Sequence, residues 1–345
     1  MTHGRPGGCF ERHPRLTAAG LLAGALVLLE LALRVAAPAP LRFAHEMRRV
    51  HRYSRTARVE LWPSQSARLR ILRSDGLPLF DFRLSTGPEA FRIDERSGVA
   101  PSPGARFLHA IGDSYTMGWG VDAASSYPAR LARRLEPELH VLNLGVDGFG
   151  AIGASAKSRA LAERYPPAQA VYLFCPNDLV DDERAAAVAR RGRLAHAAYE
   201  AVDGLRRASY LAGIPFALRY RLHFQAGPAP TAVETEAVDP RSLLIPEPAA
   251  LPAPPGRHPT FTALLEYRDF LAARGARLTV LVLSKRPESL QALRFCREQG
   301  IEAHLFDVPP ALRLPDEGHF GAAGNEAVAA LVEHLLRSGR GGAGG

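Results

Sequence analysis

From residue 106 to residue 336 the sequence alternates short apolar runs with longer helical stretches, and this alternation restricts the fold more than any other feature. Arg106–Ile111 (RFLHAI), His140–Leu144 (HVLNL), Ala168–Phe174 (AQAVYLF), Leu278–Leu283 (LTVLVL) and Ile301–Phe306 predict strands. Tyr127–Leu135, Ile152–Arg164, Thr262–Ala273, Pro287–Gln299 and Ala322–Leu336 predict the helices between and after them. Strands this apolar need cover on both faces, which a parallel sheet between two helical layers supplies. The expected fold class is therefore α/β, a three-layer sandwich with a parallel sheet. One segment, about 181–259, interrupts the pattern. It begins with an Ala/Arg-rich helical part and ends with nine prolines between Gly227 and Pro259, so it predicts no sheet strand. It is read as an exposed excursion, with a lid over a site as the alternative.

The N-terminus is of a different kind. Leu16–Leu29 is a run of 14 uncharged, mostly apolar residues, and counted on to Ala37 the segment reaches 22. That length crosses a bilayer, so a single transmembrane helix is expected ahead of the α/β body. A cleaved signal peptide is the competing reading, although Pro38 interrupts the small residues a cleavage site needs. A buried amphipathic helix is the third. Glu30 and Arg34, four residues apart, share a helical face and are placed to pair. The expected organisation is a tail and anchor over 1–40, a basic stem with short strands over 41–104, the α/β domain over 105–337, and a flexible glycine-rich tail over 338–345.

The charge is concentrated in the stem. The chain carries a formal +8, and nine arginines against Glu46 and Glu60 between Arg42 and Arg73 supply +7 of it. The stretch reads either as a solvated arginine-rich face or as one lying on anionic headgroups. The rest of the chain is almost neutral, which argues against nucleic-acid binding. Counted alone, the arginines after the apolar segment favour a cytoplasmic C-terminal side. Three scattered cysteines (Cys9, Cys175, Cys296) form neither a disulfide framework nor a zinc cluster.

In an open parallel sheet, ligands bind beyond the carboxyl ends of the strands. The first predicted strand ends in Gly112-Asp113-Ser114-Tyr115, and the second runs into Asn143-Leu144-Gly145-Val146-Asp147-Gly148. The third ends in Cys175-Pro176-Asn177-Asp178, and Asp316-Glu317-Gly318-His319 precedes the last helix. A serine, a glycine, an asparagine and an Asp-x-x-His pair thus converge on one edge. In this set and order the residues resemble the SGNH (GDSL) hydrolase family over roughly residues 106–336, with Cys175 standing where that family's third block usually has glycine. The N-terminal apolar segment resembles that of the family's membrane-anchored bacterial members.

The resemblance implies an SGNH/flavodoxin-like sandwich and a serine esterase that needs no cofactor and no metal. Ser114 would be the nucleophile, His319 its base, and Asp316 the acid that holds the imidazole. The Ser114 and Gly148 backbone N–H groups and the Asn177 amide would form the oxyanion hole. Glu317 stays open as the alternative to Asp316. The implied substrates are acetyl or acyl esters of cell-surface or exported glycans, with the domain on the periplasmic side and membrane lipid as the partner of the N-terminal helix. An O-acetyltransferase using the same residues and a non-catalytic glycan-binding domain are the rival readings. Asp113 and Asp178 read as structural, Cys175 as a buried hydrophobe, and Trp119 as either a site wall or packing. Gly148-Phe149-Gly150-Ala151-Ile152-Gly153 also matches a dinucleotide-binding Gly-x-Gly-x-x-Gly, but it follows the second strand instead of the first.

Overall fold

Pro38 interrupts the N-terminal apolar run, and the chain is helical on both sides of it. The structure is a computed structural model and describes residues 13–72, 78–94, 105–223, 239–314 and 318–341. Helix α1 (Pro14–Ala36) has 23 residues, a mean hydropathy of 2.1 over its best window and no buried residue. Among the described residues it is the one helix long and apolar enough to cross a membrane. Its Glu30 and Arg34 pair as their spacing predicts, at 3.0 Å. Helix α2 (Ala39–Val50) follows, where only short strands were expected. Its apolar residues Leu41, Ala44, Met47 and Val50 recur every third position and are all buried, the period of a helix with one face inward.

Two antiparallel hairpins complete the stem: β1 (His51–Ser54) with β2 (Arg58–Leu61), and β3 (Ser66–Leu72) with β4 (Pro78–Ser85). Asp75-Gly76 predicts a turn within the stem and Pro101–Gly104 a linker after it, and both lie outside the described residues. The stem shares one hydrophobic core with the α/β body. Trp119, from the body, packs edge-on against Phe80 and Phe82 at 5.5 Å each, and against Phe43 of α2 at 6.4 Å. Such edge-to-face contacts add roughly 0.5–1.5 kcal/mol each to area burial.

The body is the expected sandwich. Strands β5 (Phe107–Gly112), β6 (His140–Asn143), β7 (Pro167–Phe174), β8 (Arg277–Leu283) and β9 (Glu302–Phe306) form one sheet in the order β6-β5-β7-β8-β9, every pair parallel. Alternate residues enter two separate cores, as the period of a strand requires. Phe107, Ile111, Tyr172 and Val280 face one core with α5 (Ala151–Leu161) and α9 (Pro259–Ala272). Leu108, Ala110, Val171 and Leu281 face the other, with α4 (Tyr127–Leu135) and α11 (Ala322–Gly341). Helix α10 (Pro287–Glu298) adds Leu293 and Cys296 to the first core. The closing helix continues to Gly341, so residues 338–341 are helical where a flexible tail was expected to begin.

The excursion contributes no strand to the sheet among its described residues. It folds instead as α6 (Asp178–Ala189), α7 (Arg193–Ala208) and α8 (Ile214–His223). These helices supply carboxylates to the stem's arginines. Arg48 meets Asp203 at 3.0 Å, Arg55 meets Glu200 at 2.6 Å, and Arg58 meets Asp181 at 3.0 Å. Within the stem, Arg52 pairs with Glu60 and Arg68 with Asp81. The arginines of this stretch are thus largely paired with carboxylates of the protein, while Arg55, Arg68 and Arg70 keep more than half of their side chains in solvent.

One arginine is different, because it is buried. Arg92 is 2% exposed, and its guanidinium donates to the carbonyls of Met117 (2.7 Å), Gly118 (2.6 Å), Val121 (2.6 Å) and Arg83 (3.1 Å). Burial lowers its pKa to about 10, so it stays charged at neutral pH. It ties β4 to the loop that follows the Ser114 turn. Arg92→Met leaves four carbonyls without that donor, and we expect a loss on the order of 3 kcal/mol in chemical denaturation. Arg92→Lys should recover only part of it, since an ammonium lacks the planar fork. Equal stability of the two variants and the parent would overturn this role.

Candidate active site

The carboxyl ends of β5, β6 and β7 open onto a cavity of about 750 Å³, whose lining includes Ser114, Asp147, Gly148, Asn177 and His319. Ser114 begins a single helical turn, α3 (Ser114–Met117), directly after β5. The preceding Asp113 caps that turn by accepting from the Tyr115 N–H at 2.9 Å. This local arrangement carries the serine off the sheet edge. Its Oγ lies 2.9 Å from His319 Nε2, although 205 residues separate the two.

His319 is held by its loop. Tyr115 Oη and Arg313 Nη1 both donate to the Gly318 carbonyl, at 3.2 and 3.1 Å, and the Leu314 N–H donates to the His319 carbonyl at 2.6 Å. The Tyr115 ring lies 4.6 Å from the imidazole and Trp119 lies 6.3 Å away on centroids. Trp119 therefore fills both roles weighed for it, since it packs in the stem core and also borders the cavity. The two acids weighed as the partner of His319, Asp316 and Glu317, lie outside the described residues.

The expected oxyanion donors are brought to the same cavity. Gly148 has φ +72°, a left-handed conformation that costs a side-chain-bearing residue. Among the described residues, neither its N–H nor that of Ser114 has an acceptor. The Asn177 amide is already engaged: its Nδ2 donates to Asp113 Oδ2 at 3.3 Å and to Asp181 Oδ2 at 3.1 Å. Asp178 accepts from Tyr172 Oη at 2.6 Å and from the Cys175 N–H at 3.0 Å, the structural part expected of it. Cys175 is fully buried, and burial pushes its thiol well above the usual range, so it stays protonated and inert.

The Gly-x-Gly-x-x-Gly segment is explained by packing. A Cβ at Gly150 would come within 2.5 Å of the Asp182 carboxylate. That carboxylate accepts from the N–H groups of Ala151 (2.9 Å) and Ile152 (3.0 Å) at the start of α5. A dinucleotide phosphate would need those same donors, so an acidic side chain holds the position and the dinucleotide-binding reading loses its anion site.

Two walls of the cavity were not anticipated. The stem supplies Tyr53 and Arg58, and α7 supplies Tyr199, Asp203 and Arg206. The excursion is therefore a wall of the site and not a surface appendage. Tyr53 anchors it, with its hydroxyl 2.9 Å from His196 Nδ1, its N–H 2.8 Å from Asp203, and its ring stacked on Tyr199 at 5.4 Å. The nearest sequence signal was the set of acids Asp181, Asp182, Glu183, Glu200 and Asp203, which complements the stem's arginines in charge and not in position along the chain.

Asp113 titrates where it will be visible. It is fully buried, and burial pushes its carboxyl from 3.8 up to about 6 against the donors that favour its charge. A raised folded pKa binds the proton more tightly than the unfolded chain does. The stabilisation is complete below about pH 4 and is lost as pH rises through about 6. We expect the stability of the parent relative to Asp113→Asn to fall across that window, by a total on the order of 3 kcal/mol. Parallel denaturation curves from pH 4 to 7 would contradict this.

Comparison with solved structures returns matches of low similarity. TesA is matched at 16% identity with a TM-score of 0.40, over 68% of this chain and 99% of that one. A putative arylesterase from Agrobacterium tumefaciens is matched at 14% and 0.37, over 68% and 99%. A member of the lipolytic G-D-S-L family from Veillonella parvula is matched at 12% and 0.39, over 68% and 99%. No family model matches the sequence, and no curated protein matches it. At these values the likeness assigns no activity to this chain.

Proposed function

We propose that the protein is a serine esterase acting through an acyl-enzyme. The observation that carries this reading is the 2.9 Å approach of Ser114 Oγ to His319 Nε2 at the wall of an open cavity. Ser114 Oγ attacks the ester carbonyl carbon while its proton passes to His319 Nε2. The tetrahedral oxyanion is met by the Ser114 and Gly148 N–H groups and the Asn177 amide. Its collapse breaks the bond to the alcohol, which leaves with the proton from His319. Water then repeats the sequence on the acyl-enzyme and frees the acid and the serine. Asp316 stabilises the imidazolium from Nδ1, and its three-residue spacing from His319 and short side chain support it over Glu317.

Acetyl or acyl esters of glycans are the proposed substrates. The cavity wall includes Tyr53, Tyr199, Trp119, Arg58 and Asp147, which can stack on a sugar ring and bond its hydroxyls, beside the apolar Met47, Val59, Val202 and Phe216, which can meet an acyl group. Helix α1 is proposed as a retained membrane anchor, with the body on the periplasmic side. Retention is supported by the ties of its last turns to the body. Glu30 accepts from Ser209 Oγ and from the Tyr210 and Leu211 N–H groups, and Arg34 donates to the Ala208 carbonyl at 2.5 Å. The arginines that favour the opposite topology by count are paired with carboxylates in the fold, which weakens that count.

A fluorophosphonate probe is expected to label the purified full chain, and Ser114→Ala to abolish both labelling and hydrolysis of a short aryl ester. Asp316→Asn should lower turnover by roughly 10³ to 10⁴, since it presents the wrong partner to the imidazole. Glu317→Gln should change it less than about tenfold, as expected of a solvent-screened neighbour. Labelling that survives Ser114→Ala would sink the esterase reading, and a reversed pair of effects would move the acid to Glu317. For the orientation, a reporter fused after Gly345 should be active only outside the cytoplasm. Activity confined to the cytoplasm would refute it.

A further inference from the structure

Helix α7 is built inside out. The two side chains it buries are polar, His196 and Asp203, while Leu194, Ala197, Ala201, Leu205 and Ala208 fall at three- and four-residue spacing on the opposite, exposed face. Leu194 is 89% exposed and Leu205 58%. Among the described residues, large apolar side chains this exposed occur on α1, on α7 and α8, and at Val180. A soluble helix places its apolar stripe toward the core. Among the described residues nothing covers this stripe.

We propose that the outer face of α7 lies in the plane of the membrane, beside the point where α1 leaves it. The first support is continuity. The end of α7 is fixed to the last turns of α1 by the Glu30 bonds to Ser209, Tyr210 and Leu211 and by the Arg34 bond to the Ala208 carbonyl. Leu33 of α1 also packs with Ala37, Leu41 and Ala217, which bind α8 to the same corner. A helix joined to a membrane span at that level sits at the boundary between hydrocarbon and headgroups. The second support is charge. Arg190, which caps the end of α6, and Arg193, which begins α7, stand exposed with no acidic partner among the described residues, where headgroup phosphates would meet them. A protein partner is the poorer fit, because the stripe offers three alanines and two leucines and none of the aromatic anchors that dominate protein interfaces.

This docking rests on the reading of α1 as a retained span. It also has a consequence for the site. The inner face of α7 contributes Tyr199, Asp203 and Arg206 to the cavity wall, so the opening lies next to the lipid surface and receives esters presented there.

The test uses the full chain in lipid vesicles, with Cys9→Ser to leave Cys175 and Cys296, both buried, as the remaining natural thiols. A fluorophore is attached at Leu26→Cys in α1, at Leu194→Cys or Leu205→Cys in α7, and at Glu298→Cys on the remote, exposed end of α10. Brominated lipids should quench the probes at 26, 194 and 205, and aqueous iodide should quench the one at 298. If 26 is quenched by lipid while 194 and 205 respond only to iodide, the docking is overturned and the span stands. If 26 itself responds only to iodide, both fall together. Probes at 194 and 205 that are shielded from both quenchers would instead assign the face to a protein contact and overturn the proposal. Hydrolysis of a soluble aryl ester, unchanged in the 194 and 205 variants, keeps this outcome separate from the reading of Ser114.

Discussion

A guanidinium taken out of water needs acceptors around it, and the two terminal nitrogens of Arg92 find four backbone carbonyls. Three of them belong to the Ser114 turn and the stretch after it, Met117 as the last residue of the turn and Gly118 and Val121 beyond it. The bonds therefore fix backbone and not merely side chains, and they fix it within a few residues of the proposed nucleophile. Met117 also receives the Asn143 amide at 3.2 Å, which adds the end of β6 to the same framework. The stem is consequently part of the scaffold of the site. It is not a spacer between a membrane helix and an independent domain.

The second constraint is the exchange of charge between distant parts of the chain. The stem is basic and the excursion brings acids, and neither would fold against water as it folds against the other. Arg48 and Asp203 are each about four-fifths or more buried on their side chains, so removing either one strands a buried charge and costs more than breaking a surface bridge. Arg55 and Glu200 are far more open and contribute specificity of docking more than stability. Tyr53 converts the contact into a wall of the cavity, since its ring, hydroxyl and N–H all meet α7.

How much of this was legible in the sequence follows from how local each signal is. The five strands, their parallel arrangement and five helices were legible because apolar runs and helical periods are set by adjacent residues. Ser114, Gly148, Asn177 and His319 were legible as a set because each ends a strand or precedes the last helix, and the fold class brings those points to one edge. Helix α2 was readable in principle from Leu41, Ala44, Met47 and Val50, but the density of arginine around them obscured the period. Arg92 carried no signal that separates it from the chain's other arginines. The wall formed by α7 could not be read, because its partners in the stem lie about 150 residues away and its own apolar face points outward. The Gly-x-Gly-x-x-Gly segment misleads for a related reason. Tight approach of backbone to phosphate and tight approach of backbone to the Asp182 carboxylate select the same residue.

The resting position of Asn177 bears on how the proposed oxyanion hole divides its work. Both amide hydrogens of Asn177 are held by carboxylates, one by Asp113 and one by Asp181. In the acyl-transfer reading, the bond to Asp113 orients the amide while the bond to Asp181 is exchanged for one to the oxyanion. Asp181 tolerates the exchange because Arg58 and Arg184 remain at 3.0 and 3.3 Å. The gain at Asn177 is then the difference between two charge-assisted bonds and not the whole of one. Among the described residues the Ser114 and Gly148 N–H groups have no acceptor to surrender when the charge develops, and preorganised donors of that kind stabilise it without reorganisation. The backbone pair therefore carries the larger share. That share depends on the left-handed turn at Gly148 and on the Asp113 cap of the Ser114 turn, both of which are set before any substrate arrives.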